Sequence, residues 1–260
     1  MARDASARRA RLLAMLRERG EAGVAALCQA LGASEATVRR DLAALESAGA
    51  VVRTFGGARP AAEGSLLERT FGQKRERMRR EKERLAREAA RLVSPGMIVA
   101  LDSGTTVWRV AAALKDKGPL TVLTTALAAV EELGSVPGMR IFCTGGQFRP
   151  ENLDFVGPTA LAAFAQLRAD IAFVGGDSLL IGKGLYSCDQ DSAAVLSAIG
   201  ACAARRVAVV DHTKIGARGM FLGLPQERID CVITDSGVDA ETRQALEAQG
   251  IKLIVAELAA

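Results

Sequence analysis

From Met97 onward the sequence repeats one pattern. Short apolar runs, "MIVALD", "LTVLTT", "MRIFCTGG", "DIAFVGG", "RVAVVD", "CVITD" and "IKLIVAEL", are separated by stretches with helical periodicity. Most of the runs are too continuous for a sheet with one wet face. They fit strands buried on both faces, which require crossover helices above and below. The expectation is an α/β domain with a mostly parallel sheet over residues 94–260.

The first third of the chain reads differently. Residues 1–93 carry 20 Lys and Arg against 12 Asp and Glu, whereas residues 94–260 carry 14 against 18. A basic front end on a mildly acidic body predicts a polyanionic partner for the front end only. Ala7 to Arg19 places Leu12, Leu13 and Leu16 on one side and is stopped by Gly20. Gly23 to Leu31 carries Val24, Leu27 and Leu31. Gly32 breaks the chain, and Ser34 is set to cap a third helix.

In that third helix Val38, Leu42 and Leu45 fall within about 30° of a common direction at 100° per residue. Ala36, Arg40 and Ala43 lie opposite, flanked by Thr37 and Arg39. Small residues framing arginines suit a helix that enters a major groove roughly 12 Å wide. After Gly49, "AVVRTFGGARP" alternates Val51, Arg53 and Phe55 and turns at Gly56-Gly57, as a hairpin does. A three-helix bundle with a solvated basic face is the alternative; the hairpin and the charge asymmetry favour a winged helix-turn-helix over residues 1–59. The residues expected nearest double-stranded DNA are Ser34, Ala36, Thr37, Arg39, Arg40 and Arg53, and Arg39, Arg53 and Arg59 suit phosphates as well as bases.

Residues 60–93 are expected to be a linker, Pro60 to Ser65, and one connecting helix with Met78, Leu85, Ala89 and Leu92 as its apolar positions. Its charges, Arg75, Arg77, Arg79, Arg80 and Lys82 among them, suit either a solvated face or a surface toward DNA or the other domain.

Ligands of open α/β sheets gather at the carboxyl ends of the strands. Asp102 ends the first run; Ser103 and Gly104 turn the chain, and Thr105 and Thr106 open a helix whose N–H groups suit a phosphate. There is no GxxxxGK[ST] pattern, so a nucleotide P-loop is not expected. Thr124, Gly145 with Arg149, Gly175 with Asp177, the polar segment Gly182 to Asp191 with Asp189, and Lys214 follow later runs. Together these hydroxyls, glycines, carboxylates and cations suit a small phosphorylated polyhydroxy metabolite.

Two sets of motifs resemble the DeoR family of bacterial transcriptional regulators. "ASEATVRRDLAALESAGAVVRTFGGA" is similar to its recognition helix and wing, with "TVRRDL" the hallmark. "LDSGTT", "VGPTA", "LRADIAFVGGD", "GLYSCD" and "VVDHTKIG" follow in the order of its effector domain. The resemblance implies a fold related to ribose-5-phosphate isomerase and a repressor of carbohydrate or related genes, gated by a phosphorylated metabolite resting on Ser103 to Thr106. Two departures stand out: Leu196 occupies the place of a common lysine, and Tyr186-Ser187 that of a threonine pair.

An isomerase-like enzyme with a fused DNA-binding domain is the alternative. Asp102, Asp189 and Asp191 would serve as its carboxylates and Lys214 as its cation; Leu196 and the winged helix stand against it. A body that only oligomerises is a third reading. DNA readers of this size usually act as symmetric oligomers, so a homo-oligomer is expected. The five cysteines lack a CxxC pair and the single histidine is His212, so no metal, disulfide or cofactor is expected and the cysteines are read as apolar fillers. The basic start lacks a secretory h-region and no run reaches eighteen apolar residues, so a cytoplasmic protein with no membrane association is expected.

Overall fold

The computed structural model describes residues 2–47, 50–54, 56–60 and 71–257. Gly49, Phe55 and the linker residues beyond Pro60, all singled out above, lie outside the described residues. The chain divides into two compact units, Met1–Arg77 and Met78–Ala260. The division therefore falls inside segment 60–93.

The first unit contains α1 (Ala2–Arg19), β1 (Ala22–Gly23), α2 (Val24–Leu31), α3 (Glu35–Ser47), β2 (Val51–Thr54), β3 (Gly57–Pro60) and α4 (Phe71–Glu76). Gly32 closes α2 in a left-handed conformation, φ 60° and ψ 32°, and its N–H donates to the Cys28 carbonyl. β2 and β3 form the expected antiparallel hairpin, and β1 pairs with the other edge of β3. A Cβ on Gly57 would sit 2.4 Å from the Ala22 carbonyl oxygen, so this approach requires glycine. Leu12, Leu16, Leu27, Val38, Leu42 and Val51 fill a core into which the stripe on α3 points.

The second unit begins with α5 (Arg79–Arg91). Met78, with φ 52°, occupies its N-cap position in the left-handed region. One continuous connecting helix was expected; the structure instead has two, because the chain turns at Met78. Leu85, Ala86, Ala89 and Ala90 of α5 belong to the core of the second unit, so this helix is part of the α/β layer.

The sheet is formed by β4 (Ile98–Leu101), β5 (Leu120–Thr124), β6 (Met139–Cys143), β9 (Ala169–Val174), β12 (Ala203–Val209), β14 (Cys231–Asp235) and β15 (Lys252–Ala256). All seven come from the seven apolar runs. Their order is β15-β14-β12-β9-β4-β5-β6, and every pairing is parallel. The helices α6 (Thr105–Ala113), α7 (Leu127–Leu133), α8 (Pro158–Ala165), α9 (Gln190–Cys202) and α10 (Ala240–Ala248) lie in the connections. Two buried clusters result, one including α5, α6 and α7 and the other α8, α9 and α10.

Two further pieces were not expected. β7 (Gln147–Arg149) and β8 (Asp154–Val156) make an antiparallel hairpin; β10 (Ser178–Leu180), β11 (Gly184–Ser187) and β13 (Phe221–Pro225) make a three-stranded antiparallel sheet. The segment Gly182 to Asp191, read as a polar loop, is thus partly strand. These strands are only three to five residues long, too short to show periodicity.

Among the described residues no helix is long and apolar enough to cross a membrane, and no group of three or more His, Cys, Asp or Glu is placed to hold a metal. All five cysteines are free. Cys202 and Cys231 are buried as expected, but Cys143 is exposed on the edge strand β6, where no neighbouring strand covers it.

Candidate DNA interface and effector site

In the first unit, Ser34 caps α3 as expected. The Thr37 N–H donates to Ser34 Oγ at 3.3 Å, and the two hydroxyls stand 2.9 Å apart. Val38 and Leu42 are fully buried, whereas Ala36, Arg39, Arg40 and Ala43 are exposed and Thr37 is half-buried. Arg39 forms an exposed i, i+4 pair with Glu35, its Nε donating to Glu35 Oε1 at 2.7 Å. Arg40 forms no ion pair among the described residues. Arg53 is half-buried on β2, and its Nε is covered without a hydrogen-bond partner.

Asp41 was not anticipated. It is 6% exposed, and Arg8 Nε of α1 donates to its Oδ2 at 2.6 Å while Arg9 Nε stands 3.8 Å from Oδ1. Asp41 therefore ties α3 to α1 and fixes the direction of its outer face. The signal was legible: at 100° per residue, Asp41 lies about 60° from Val38, on the edge of the core stripe.

In the second unit, α6 starts at Thr105 after an extended Gly104, φ −69° and ψ 154°. The Asp102 carboxylate accepts the Ser103 N–H at 2.8 Å and the Gly175 N–H at 3.0 Å, joining the ends of β4 and β9. Burial raises its pKa to about 6. The two backbone donors oppose that shift, and the charges of Asp154 and Asp177 reinforce it.

Ser103 Oγ donates to Asp154 Oδ2 at 2.8 Å. Asp154 in turn receives both edges of the Arg149 guanidinium, Nε to Oδ1 at 2.9 Å and Nη2 to Oδ2 at 2.8 Å. Arg149 also donates to Asp189 at 2.6 Å and to Ser192 Oγ at 2.8 Å. Asp189 caps α9 by accepting the Ser192 N–H at 2.6 Å. A continuous chain of hydrogen bonds therefore runs from the first turn after β4 to the start of α9. Burial alone would lower the Arg149 pKa, but Asp154 and Asp189 outweigh it and hold the guanidinium charged; burial would raise Asp189, but Ser192 and Arg149 lower it.

Asp177 accepts the Cys188 N–H at 3.0 Å and faces Lys214 Nζ at 3.8 Å. Thr124 does not join the site. It is fully buried, its hydroxyl donating to the Leu101 carbonyl and accepting the Ala126 N–H, so it holds β5 to β4. Gly145, with φ 66°, turns the chain after β6. Leu196 is 2% exposed and packs in the apolar core beside Gly223, and Tyr186 is half-buried on β11.

Two residues of this edge were missed. Asp154 faces Arg149 directly across the β7–β8 hairpin, a charge pair visible only once that register is known. Lys82, read as one of a surface cluster, is 4% exposed, and its Nζ donates to Thr105 Oγ1 at 3.1 Å. It falls on the same stripe of α5 as Leu85, Ala86 and Ala89, so its burial was readable from spacing.

A winged helix-turn-helix unit followed by a parallel α/β unit with polar strand ends defines a two-part DNA-binding regulator. Residues 8–63 match the family model of a DeoR-like helix-turn-helix domain and residues 77–236 that of the DeoR C-terminal sensor domain. The chain belongs to the DeoR family. It is 33% identical to the HTH-type transcriptional regulator YgbI of Escherichia coli K12, over 96% of this chain and 97% of that protein. With the HTH-type transcriptional regulator GlpR of Haloferax volcanii it shares 31% over 95% and 96%. With the transcriptional repressor AccR of Agrobacterium fabrum it shares 30% over 88% and 89%. The protein is accordingly a DNA-binding transcriptional regulator. Among solved structures, ribose-5-phosphate isomerase A of Methanocaldococcus jannaschii covers 53% of this chain and 55% of its own, with a TM-score of 0.40 and 18% identity.

Proposed function

We propose that the protein is a homo-oligomeric repressor of carbohydrate or related catabolic genes whose affinity for its DNA operator is set by a small phosphorylated metabolite. Ala36, Arg40 and the Ser34–Thr37 turn approach base edges, while Arg39 and Arg53 serve phosphates and register. The effector rests at the carboxyl edge of the sheet, its phosphate on Ser103 to Thr106 and its hydroxyls toward Asp102, Asp177 and Asp189, with Gly145, Gly175, Arg149 and Lys214 framing the site.

One observation carries this reading: the chain Ser103–Asp154–Arg149–Asp189. A ligand that takes the Ser103 hydroxyl disturbs Asp154 and hence the cap of α9. That gives the two ligation states a physical difference, which any linkage between effector and DNA requires. Subunit contacts then misalign paired winged helices on their half-sites.

The test is a thermal-unfolding panel with inorganic phosphate, phosphorylated sugars and the same sugars without phosphate. A phosphorylated sugar at a hundred times its Kd stabilises by about 2.7 kcal/mol. A shift confined to a phosphorylated sugar is expected, and equal shifts from sugars lacking phosphate would contradict the assignment of Ser103 to Thr106.

A further inference from the structure

The two edges of the seven-stranded sheet differ. On β15 the exposed side chain is Lys252, a charge of the kind that blunts an edge against other strands. β6, at the far edge, has β5 as its one neighbour among the described residues and exposes Arg140, Phe142 and Cys143, with Phe142 47% exposed.

The ladder shows which backbone groups β6 offers. The Gly138 carbonyl accepts the Leu120 N–H, and the Thr144 N–H donates to the Thr124 carbonyl. In a parallel pair alternate residues turn both backbone groups to the neighbour, so positions 138, 140, 142 and 144 face β5. Met139, Ile141 and Cys143 turn theirs outward, a row that a further strand satisfies.

We propose that this strand comes from a second copy of the chain, β6 pairing antiparallel with the partner's β6 about a two-fold axis at Ile141. The inference rests on the homo-oligomer reading given above and assigns it a surface. Antiparallel pairing sets outward residues against outward ones, so the axis passes through a residue, and at Ile141 all five residues of β6 overlap. Ile141 then meets the partner's Ile141, and Met139 the partner's Cys143, in hydrogen-bonded pairs. Arg140 lies opposite the partner's Phe142 in the closer, non-hydrogen-bonded pairs, with Cα atoms about 4.5 Å apart. The two exposed side chains cover each other, cation against ring, and the two seven-stranded sheets become one.

The experiment measures the mass of the full-length protein by light scattering across a dilution series. Phe142→Arg sets like charges opposite each other and is expected to raise the dissociation constant of the assembly at least tenfold. Adding Arg140→Glu restores opposite charges across the seam and is expected to recover the assembly, a rescue that a folding defect would not show. Loss without rescue overturns the register. An assembly that Phe142→Arg leaves intact overturns the seam and leaves the homo-oligomer reading in place. A parent protein that is monomeric at every concentration contradicts that reading, and the seam with it.

Should Phe142→Arg not fold, disulfide trapping decides, because a Cα separation of about 4.5 Å admits the bond. In a Cys143→Ser background, Arg140→Cys and Phe142→Cys together are expected to close a covalent dimer under mild oxidation, and neither alone. No dimer from the pair, or equal dimer from a single variant, overturns the proposal.

Discussion

The two units place their working charges in opposite ways. On α3 the arginines that face outward are exposed, and a part-buried ion pair, Asp41 with Arg8, lies behind them and serves the scaffold. At the carboxyl edge of the sheet the charges are half-buried or buried and bonded to one another, with Arg149 at the centre. A DNA surface meets phosphates in water and needs free, solvated cations. A pocket for a small ligand must be dry and fixed in advance, so its polar groups satisfy each other until the ligand arrives. Substitutions of the outward-facing arginines of α3 should therefore separate binding from stability, whereas substitutions at the edge should not.

The largest effect is expected from Arg149→Leu. It leaves Asp154 buried without its counter-charge, and removing one member of a buried pair costs about 3–5 kcal/mol. Urea denaturation checks this, and a loss below 1 kcal/mol would mean that the edge is wetter and looser than described. Asp41→Ala comes next. It removes the carboxylate to which Arg8 donates and loosens α3 on α1, with an expected loss of about 1–3 kcal/mol and weaker binding to every DNA sequence alike. Melting and DNA titration together check it; full operator affinity in a destabilised variant would show that the pair does not orient the outer face.

Arg40→Ala sharpens the comparison. Stability should stay within about 0.5 kcal/mol, while operator binding loses about 1–3 kcal/mol and random-sequence binding less. Equal losses on both DNAs would remove Arg40 from base readout. The smallest effect concerns pH. Asp102 binds its proton more tightly in the folded protein, with a pKa of about 6 against an ordinary 3.8, so its contribution to stability falls as pH rises from about 4 through 6. Asp102→Asn should flatten that slope, as urea midpoints across this window would show, and an unaltered slope would mean that another group dominates it.

The sequence was most legible where burial imposes a period. All seven strands of the parallel sheet were visible as apolar runs, and the core stripe of α3 as Val38, Leu42 and Leu45. The same arithmetic marks Asp41 and Lys82 as inward-facing, but charged side chains are rarely buried: Lys82 was read as surface, and Asp41 was not singled out. What could not be read depends on long-range register. The pairing of Arg149 with Asp154 exists only because β7 and β8 align, and the burial of Thr124 only because its hydroxyl finds the Leu101 carbonyl on the neighbouring strand. Hydroxyls and carboxylates at strand ends look alike in sequence whether they face a ligand or brace the sheet.

The coupling between the two units is tested most directly by titrating operator DNA with the intact protein at fixed salt, with and without the phosphorylated sugar that raises its melting temperature. Operator affinity is expected to change at least fivefold at saturation, the lower end of the roughly 1–3 kcal/mol typical of allosteric coupling, and affinity for that sugar is expected to change by the same factor when operator is bound. A sugar that saturates the sensing unit yet leaves operator affinity unchanged would contradict the account.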